Sequence, residues 1–260
     1  MNVASLTTTP QRKSNFIYQC IDSIANQTIK FDIIHIYFQG TKQQCWFNDI
    51  ISDYNNLKIS YITDKYGSKS KYYYALNEYN DYNITLFDDD MTYNPHLLEY
   101  NLIGHNLYND CLISGIYTFP YLDIRVKNCF LFLLGSKFER TKEYKNKYIR
   151  TLSGWGTFIP AHILDNTDVI SDIDNGHNIF PTSDECWLYC NCIKYNIPTY
   201  CHGFFGRRND LFVDNYVYYN CLYSRNTIKE FDTGYSIYSY LYRNNIDLDK
   251  ITYEDLDNEI

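Results

Sequence analysis

Short apolar runs alternate with amphipathic stretches of helix length through residues 1–90. Val3 to Leu6 is an apolar run closed by Thr7-Thr8-Thr9-Pro10 and reads as a strand. A helix is predicted next, with Ser14 as N-cap and Ile17, Cys20, Ile21 and Ile24 recurring on one face. Ile33 to Phe38 reads as a second strand ended by Gln39-Gly40, a weaker helix falls over Gln43 to Tyr54, and Leu57 to Ile62 is a third strand. Lys69 to Tyr79 has helical spacing, and Ile84 to Phe87 is a fourth strand that runs straight into Asp88-Asp89-Asp90.

Strands separated by helix-length segments imply βαβ units, hence an α/β fold with a mainly parallel central sheet and helices on its faces. Ligands of such sheets bind beyond the carboxyl ends of the strands. Thr7 to Thr9, Tyr66-Gly67 and Asp88 to Asp90 are therefore expected to converge on one sheet edge. The second half is less regular. Helices are predicted over Pro95 to Tyr108 and, opened by Ser183, over Asp184 to Tyr195, with strands at Leu112 to Tyr117, Phe130 to Leu134 and Pro198 to Cys201. From Ile228 onward the pattern is helical and ends acidic. A length of 260 residues suits one domain. It divides by pattern into a half over 1–94, a half over 95–226 and a tail over 227–260.

A formal charge of -8 argues against nucleic acid as the main partner, because phosphate backbones need a basic surface. It leaves room for a small phosphate ligand held by a cation and one or two arginines. The 29 tyrosines could provide sugar-stacking faces, although the abundance of Tyr, Asn, Ile and Lys together reads first as compositional bias. Nine cysteines without a Cys-x-x-Cys pair read as reduced, buried thiols. With neither a signal-peptide pattern at Met1 to Ser5 nor a run of about 18 apolar residues, the expected location is cytoplasmic.

Three adjacent aspartates behind an apolar strand are the most informative feature. In extended backbone Asp88 and Asp90 share a side. Two carboxylates about 4 Å apart repel by about 4 kcal/mol at an effective dielectric near 20. A divalent ion such as Mn²⁺ or Mg²⁺ turns that repulsion into binding and shares its ligands with phosphates. The competing reading is a solvated turn before the Pro95 helix.

Asp88-Asp89-Asp90 resembles the DxD motif of GT-A glycosyltransferases of the family-2 kind. The segments Ser5-Leu6-Thr7-Thr8-Thr9-Pro10-Gln11-Arg12 and Asp64-Lys65-Tyr66-Gly67-Ser68-Lys69-Ser70-Lys71 are similar to that group's nucleotide-contacting loop and donor site. The resemblance covers roughly residues 2–203. It implies a GT-A fold and donor contacts from Thr7, Thr8, Arg12, Gly67, Lys71, Asp88 and Asp89. It also implies a cation held by Asp88 and Asp90, with His202 as a candidate third ligand. Ser153 to Pro160 resembles the acceptor-side glycine segment, with Gly154, Trp155 and Gly156 as candidate contacts; a buried Trp in a tight turn is the alternative.

Ser183-Asp184-Glu185-Cys186-Trp187 resembles the acidic pair and Trp that open a helix in this group. The resemblance makes Asp184 or Glu185 the base that takes the acceptor proton, with Trp187 on the acceptor side. Glu185 departs from the Asp common at its position, so the choice between the two stays open. Arg207 and Arg208 are candidates for neutralising the diphosphate. The expected partners are a nucleotide-sugar donor and a glycan, lipid-linked or protein acceptor.

Two other enzyme classes share parts of the pattern. Phe87 to Thr92 fits the nucleophile motif of haloacid-dehalogenase-like phosphatases, with Asp210 and Asp214 as the second acidic pair, yet three strands precede it where that motif normally sits on the first. A nucleotidyltransferase normally has a glycine-rich loop after its first strand, and Thr7 to Lys13 contains no glycine. A non-catalytic carbohydrate-binding domain would not need the acidic clusters.

Overall fold

The computed structural model describes residues 1–12, 16–46, 53–63, 65–114, 118–120, 144–147, 149–151, 154–202, 212–213, 237 and 239–246, and the statements below concern these. Ser14, Asp64, the 130–134 strand, Ser153, Arg207, Arg208, Asp210, Asp214 and most of the 227–260 tail lie outside them.

The first half follows the hydrophobic pattern closely. Strand β1 (Asn2–Thr8) leads through a 3-10 turn at Pro10–Arg12 to helix α1 (Phe16–Ala25), and Ile17, Cys20, Ile21 and Ile24 are all buried. Strands β2 (Ile33–Gln39) and β3 (Leu57–Ile62) come next; of the weaker helix between them the described part is a 3-10 turn at Lys42–Gln44. A second 3-10 turn, Gly67–Lys69, opens helix α2 (Ser70–Glu78), and β4 (Asn83–Phe87) ends at the acidic triplet.

Beyond the triplet lie β5 (Met91–Thr92), α3 (Leu97–Leu107), β6 (Leu112–Ser114), β7 (Thr118–Pro120), β8 (Tyr144–Asn146), β9 (Ile149–Thr151) and β10 (Trp155–Ile159). Helices α4 (Asp168–Ser171), α5 (Ile173–Ile179) and α6 (Asp184–Lys194) precede β11 (Thr199–Cys201) and β12 (Phe212–Val213). Residues 239–243 are helical.

Eight strands form one sheet in the order β3-β2-β1-β4-β10-β6-β11-β8. The first four are parallel, β10 runs antiparallel to both β4 and β6, β6 and β11 are parallel, and β8 is an antiparallel edge. The fold is thus mixed α/β with an open, largely parallel sheet. Because β4 bonds to β10, the 1–94 and 95–226 segments share a single sheet rather than forming separate bodies.

Alternation along the strands feeds two cores. Val3, Ile84, Leu86 and Ile159 face α2 and α6, whereas Ala4, Leu6, Ile36, Phe87 and Phe158 face α1 and α3. The chain proceeds from β1 outward to β2 and β3, then returns to place β4 on the other side of β1. That reversal is a topological switch point, where the strand ends splay and leave a crevice for a ligand. Among the described residues no helix is long and apolar enough to cross a membrane, and the seven cysteines present are free and buried.

Candidate active site

The crevice is built from the ends of β1 and β4. Thr8, the last residue of β1, donates its hydroxyl to Asp89 Oδ2 at 2.6 Å. Arg12, in the following turn, places Nη1 3.2 Å from Asp90 Oδ2 and Nε 3.8 Å from Asp89 Oδ1. Two loops that are far apart in sequence are therefore tied at the switch point by charge-assisted contacts. Thr7 turns the other way, its hydroxyl donating to the Tyr37 carbonyl at 2.8 Å, so its side chain serves the β1–β2 junction. Gly67, at φ +55°, accepts from Gln39 Nε2 at 2.6 Å through its carbonyl, which fixes its turn at the end of β2 on the same sheet edge.

Lys71 is fully buried in the first turn of α2. Its Nζ lies 2.5 Å from Asp88 Oδ1 and 2.8 Å from Asp184 Oδ2. Burial works against the ammonium, but Asp184 and then Asp88 more than offset it, so its pKa lies above the ordinary lysine value. One buried cation thereby joins the carboxylate that ends β4 to the one that opens α6. Asp184 and Glu185 occupy the first turn of that helix, where the helix dipole favours negative charge. Ser183 precedes it with extended backbone and without a side-chain cap bond.

Carboxylate charge at the loop exceeds what the two cations neutralise comfortably. Burial, followed by the fields of Asp89 and Asp88, raises the Asp90 pKa to about 7 despite Arg12. Burial also raises Asp89, against the opposing pull of Arg12 and the Thr8 hydroxyl. This surplus fits a divalent ion with oxygen ligands, of the kind held by one or two carboxylates and completed by substrate phosphate. A set of three protein ligands is not present: among the described residues no three His, Cys, Asp or Glu side chains converge on a metal position.

His202 is accordingly not gathered to Asp88 and Asp90. It is buried after β11 with Nε2 3.3 Å from Asn101 Oδ1, and burial lowers its pKa to about 3. Asn101 in turn donates to the Gly156 carbonyl at 3.1 Å, so His202 supports the wall behind β10.

Glycines shape that wall. A Cβ on Gly154 would overlap the Asp88 carboxylate, so the side chain of Asp88 occupies space that only glycine leaves open. Gly156, at φ +88°, forms a bulge between Trp155, which pairs with Phe87, and Thr157, which pairs with Leu86. Trp155 is half-buried there.

Trp187 departs from its expected acceptor-side place. It is fully buried, donates Nε1–H to the Val169 carbonyl at 3.1 Å, meets Tyr240 edge-on and packs against Gly176. The physical reason is depth along α6: one turn in from the crevice end, an indole this large is enclosed by α4, α5 and the 239–243 helix, leaving no face for a sugar.

No family model matches the chain, and no curated protein matches it in sequence. Among solved structures it is similar to S. aureus TarS. For TarS 1–349 the identity is 14% and the TM-score 0.49, covering 77% of this chain and 57% of that one. A longer TarS chain gives the same identity and TM-score with 34% of its length covered. The chain thus spans little more than half of one TarS structure and about a third of the other. A likeness at that level carries no argument about chemistry, which rests on the side chains just described.

Tyr93 was not marked by any motif. Its hydroxyl donates to the Gly154 carbonyl at 2.6 Å and accepts from the Asp88 N–H at 2.8 Å, clamping the backbone on both sides of the crevice. The only sequence signal is its position soon after the triplet, among many tyrosines. Lys69 was quoted only as part of a segment, yet it is fully buried and donates to the Phe180 carbonyl. Burial lowers its pKa to about 8, against the pull of Asp184 and Glu185.

Proposed function

We propose that this chain is a glycosyltransferase that moves a sugar from a nucleotide-sugar donor to a hydroxyl acceptor, with Mn²⁺ or Mg²⁺ held by Asp88 and Asp90. The observation that carries this reading is the pair of contacts made by Lys71, which joins the Asp88 and Asp184 carboxylates. Sugar transfer from a diphosphate requires such a pairing: a cation site for the leaving group beside a carboxylate that can receive a proton.

On this reading Arg12 and the Thr7–Thr8 end of β1 border the nucleotide, with the Gly67 turn beside them. The metal, when bound, offsets the charge that builds on the departing diphosphate. The acceptor oxygen attacks the anomeric carbon as the bond to the diphosphate breaks; the diphosphate keeps that electron pair, and the hydroxyl proton passes to a carboxylate. Asp184 is the base rather than Glu185, since Asp184 is held 2.8 Å from Lys71 beside Asp88. A single displacement of this type inverts the anomeric centre. A glycan, lipid-linked or protein acceptor enters past Gly154, Trp155 and Gly156.

Thermal shift tests the reading directly, because a ligand that binds the folded chain raises its midpoint by mass action. UDP-, GDP-, CMP- and dTDP-sugars are each compared with Mn²⁺ and with EDTA. One nucleotide class is expected to raise the midpoint only when metal is present, and Asp90→Ala to abolish that rise while remaining folded. An Asp90→Ala protein with unchanged turnover removes the metal assignment.

A further inference from the structure

Lys71 is buried between two carboxylates that have different roles under the proposed function, and the following rests on that reading. We propose that the Lys71 ammonium stands in for part of a divalent cation's charge at Asp88, so that loading the acidic loop hands Lys71 over to Asp184. Lys71 is thus a positioning residue that links the filling of the donor side to the state of the acceptor-side carboxylate.

The geometry sets up the competition. The Lys71 carbonyl accepts from the Ser5 hydroxyl at 2.5 Å, so the backbone that carries the side chain is pinned to β1. From that point its Nζ reaches Asp88 at 2.5 Å and Asp184 at 2.8 Å. An ammonium is a compact point charge without a fixed donor fork, and it can be shared unevenly between two acceptors. A divalent ion on Asp88 neutralises that carboxylate and repels Nζ, and Asp184 then becomes the ammonium's principal partner. Linkage makes the effect reciprocal: the more firmly Asp88 holds Lys71, the weaker its hold on a metal. The room for Asp88 beside Gly154 lets its carboxylate lie in the crevice while it keeps this contact.

The test measures Mn²⁺ alone binding to the full chain, with free Mn²⁺ followed by its paramagnetic resonance signal. Salt is kept well above physiological strength, so that charges beyond contact distance are screened. Lys71→Met is expected to bind Mn²⁺ about tenfold tighter, the scale of one charge contact, while turnover falls. Asp184→Asn is expected to bind Mn²⁺ more weakly, since Lys71 is then left to Asp88, and Lys71→Arg to stay near the wild-type affinity. A simple structural role would weaken binding in both Lys71→Met and Asp184→Asn. Equal or weaker Mn²⁺ binding by folded Lys71→Met overturns the inference, as does an unchanged affinity in Asp184→Asn; if Lys71→Met fails to fold, the neutral Lys71→Gln is read in its place. Wild-type protein that takes up no Mn²⁺ alone overturns this inference, whereas the metal reading stands or falls on the thermal shift with nucleotide-sugars.

Discussion

Glycine at 154 matters through the space it leaves, since any side chain there would collide with the Asp88 carboxylate. Tyr93 fixes the surrounding backbone from the Gly154 carbonyl to the Asp88 N–H, so Asp88 has little freedom to yield. Gly154→Ala is therefore expected to displace Asp88 and lower turnover about 100-fold, because a shift of about 1 Å in a reacting group has that effect. Far-UV circular dichroism should stay native. Kinetics within a factor of a few of wild type would show that Asp88 does not need this position. Of these two residues, Asp88 was legible from sequence because it sits in a dense acidic motif. The reason for glycine at 154 was not, because the overlap involves a residue on a different strand.

Helix α6 divides its residues between two tasks according to their depth along its axis. Asp184 meets Lys71 at the crevice, and one turn later Trp187 fills the core between α4, α5 and Tyr240. Trp187→Ala should cost about 3–5 kcal/mol, the usual range for removing a large buried aromatic side chain. Denaturant unfolding measures that loss. At temperatures where the variant is folded its Mn²⁺ affinity should match wild type, and a selective loss of acceptor affinity without loss of stability would return Trp187 to the acceptor side. Read as a motif, the sequence put Asp184, Glu185 and Trp187 in a common functional group; the helix separates them because one turn carries the chain from the crevice edge into the core. The extent of β3 was read as it stands, and the buried face of α1 was read residue by residue, because each element carries its own apolar pattern. Antiparallel β10 was read only as a glycine segment, since strand direction is set by its β4 and β6 partners.

At the scale of the whole molecule, two buried neutral histidines among the described residues weaken the fold towards acid. Burial lowers His35 from its ordinary 6.5 to about 4, with Lys58 acting in the same direction and Glu78 against it; burial alone lowers His202 to about 3. Between pH 6.5 and 4 the unfolded chain takes up protons on these groups and the folded chain does not, so their contribution is full above pH 6.5 and falls with acid. Asp90 opposes them over the same window, because its folded pKa is raised to about 7 and the folded chain takes up the proton first. Asp89, also raised by burial, acts in the same sense as Asp90, so the histidine contribution is read from a variant rather than from the sign of the whole slope. Denaturant midpoints at pH 7.5 and 5 check this: His35→Gln should lose less stability on acidification than wild type does. An equal loss in the two proteins would rule the account out. Sequence by itself determined the parallel β1–β4 arrangement and the acidic loop at the end of β4, because hydrophobic period and local charge density are properties of neighbouring residues. Tertiary structure alone decided that Lys71 joins Asp88 to Asp184, that His202 stands with Asn101, and that Trp187 is core. Those relations depend on where strands and helices distant in sequence are brought together, and a buried charge finds its partners only once the fold has excluded water around it.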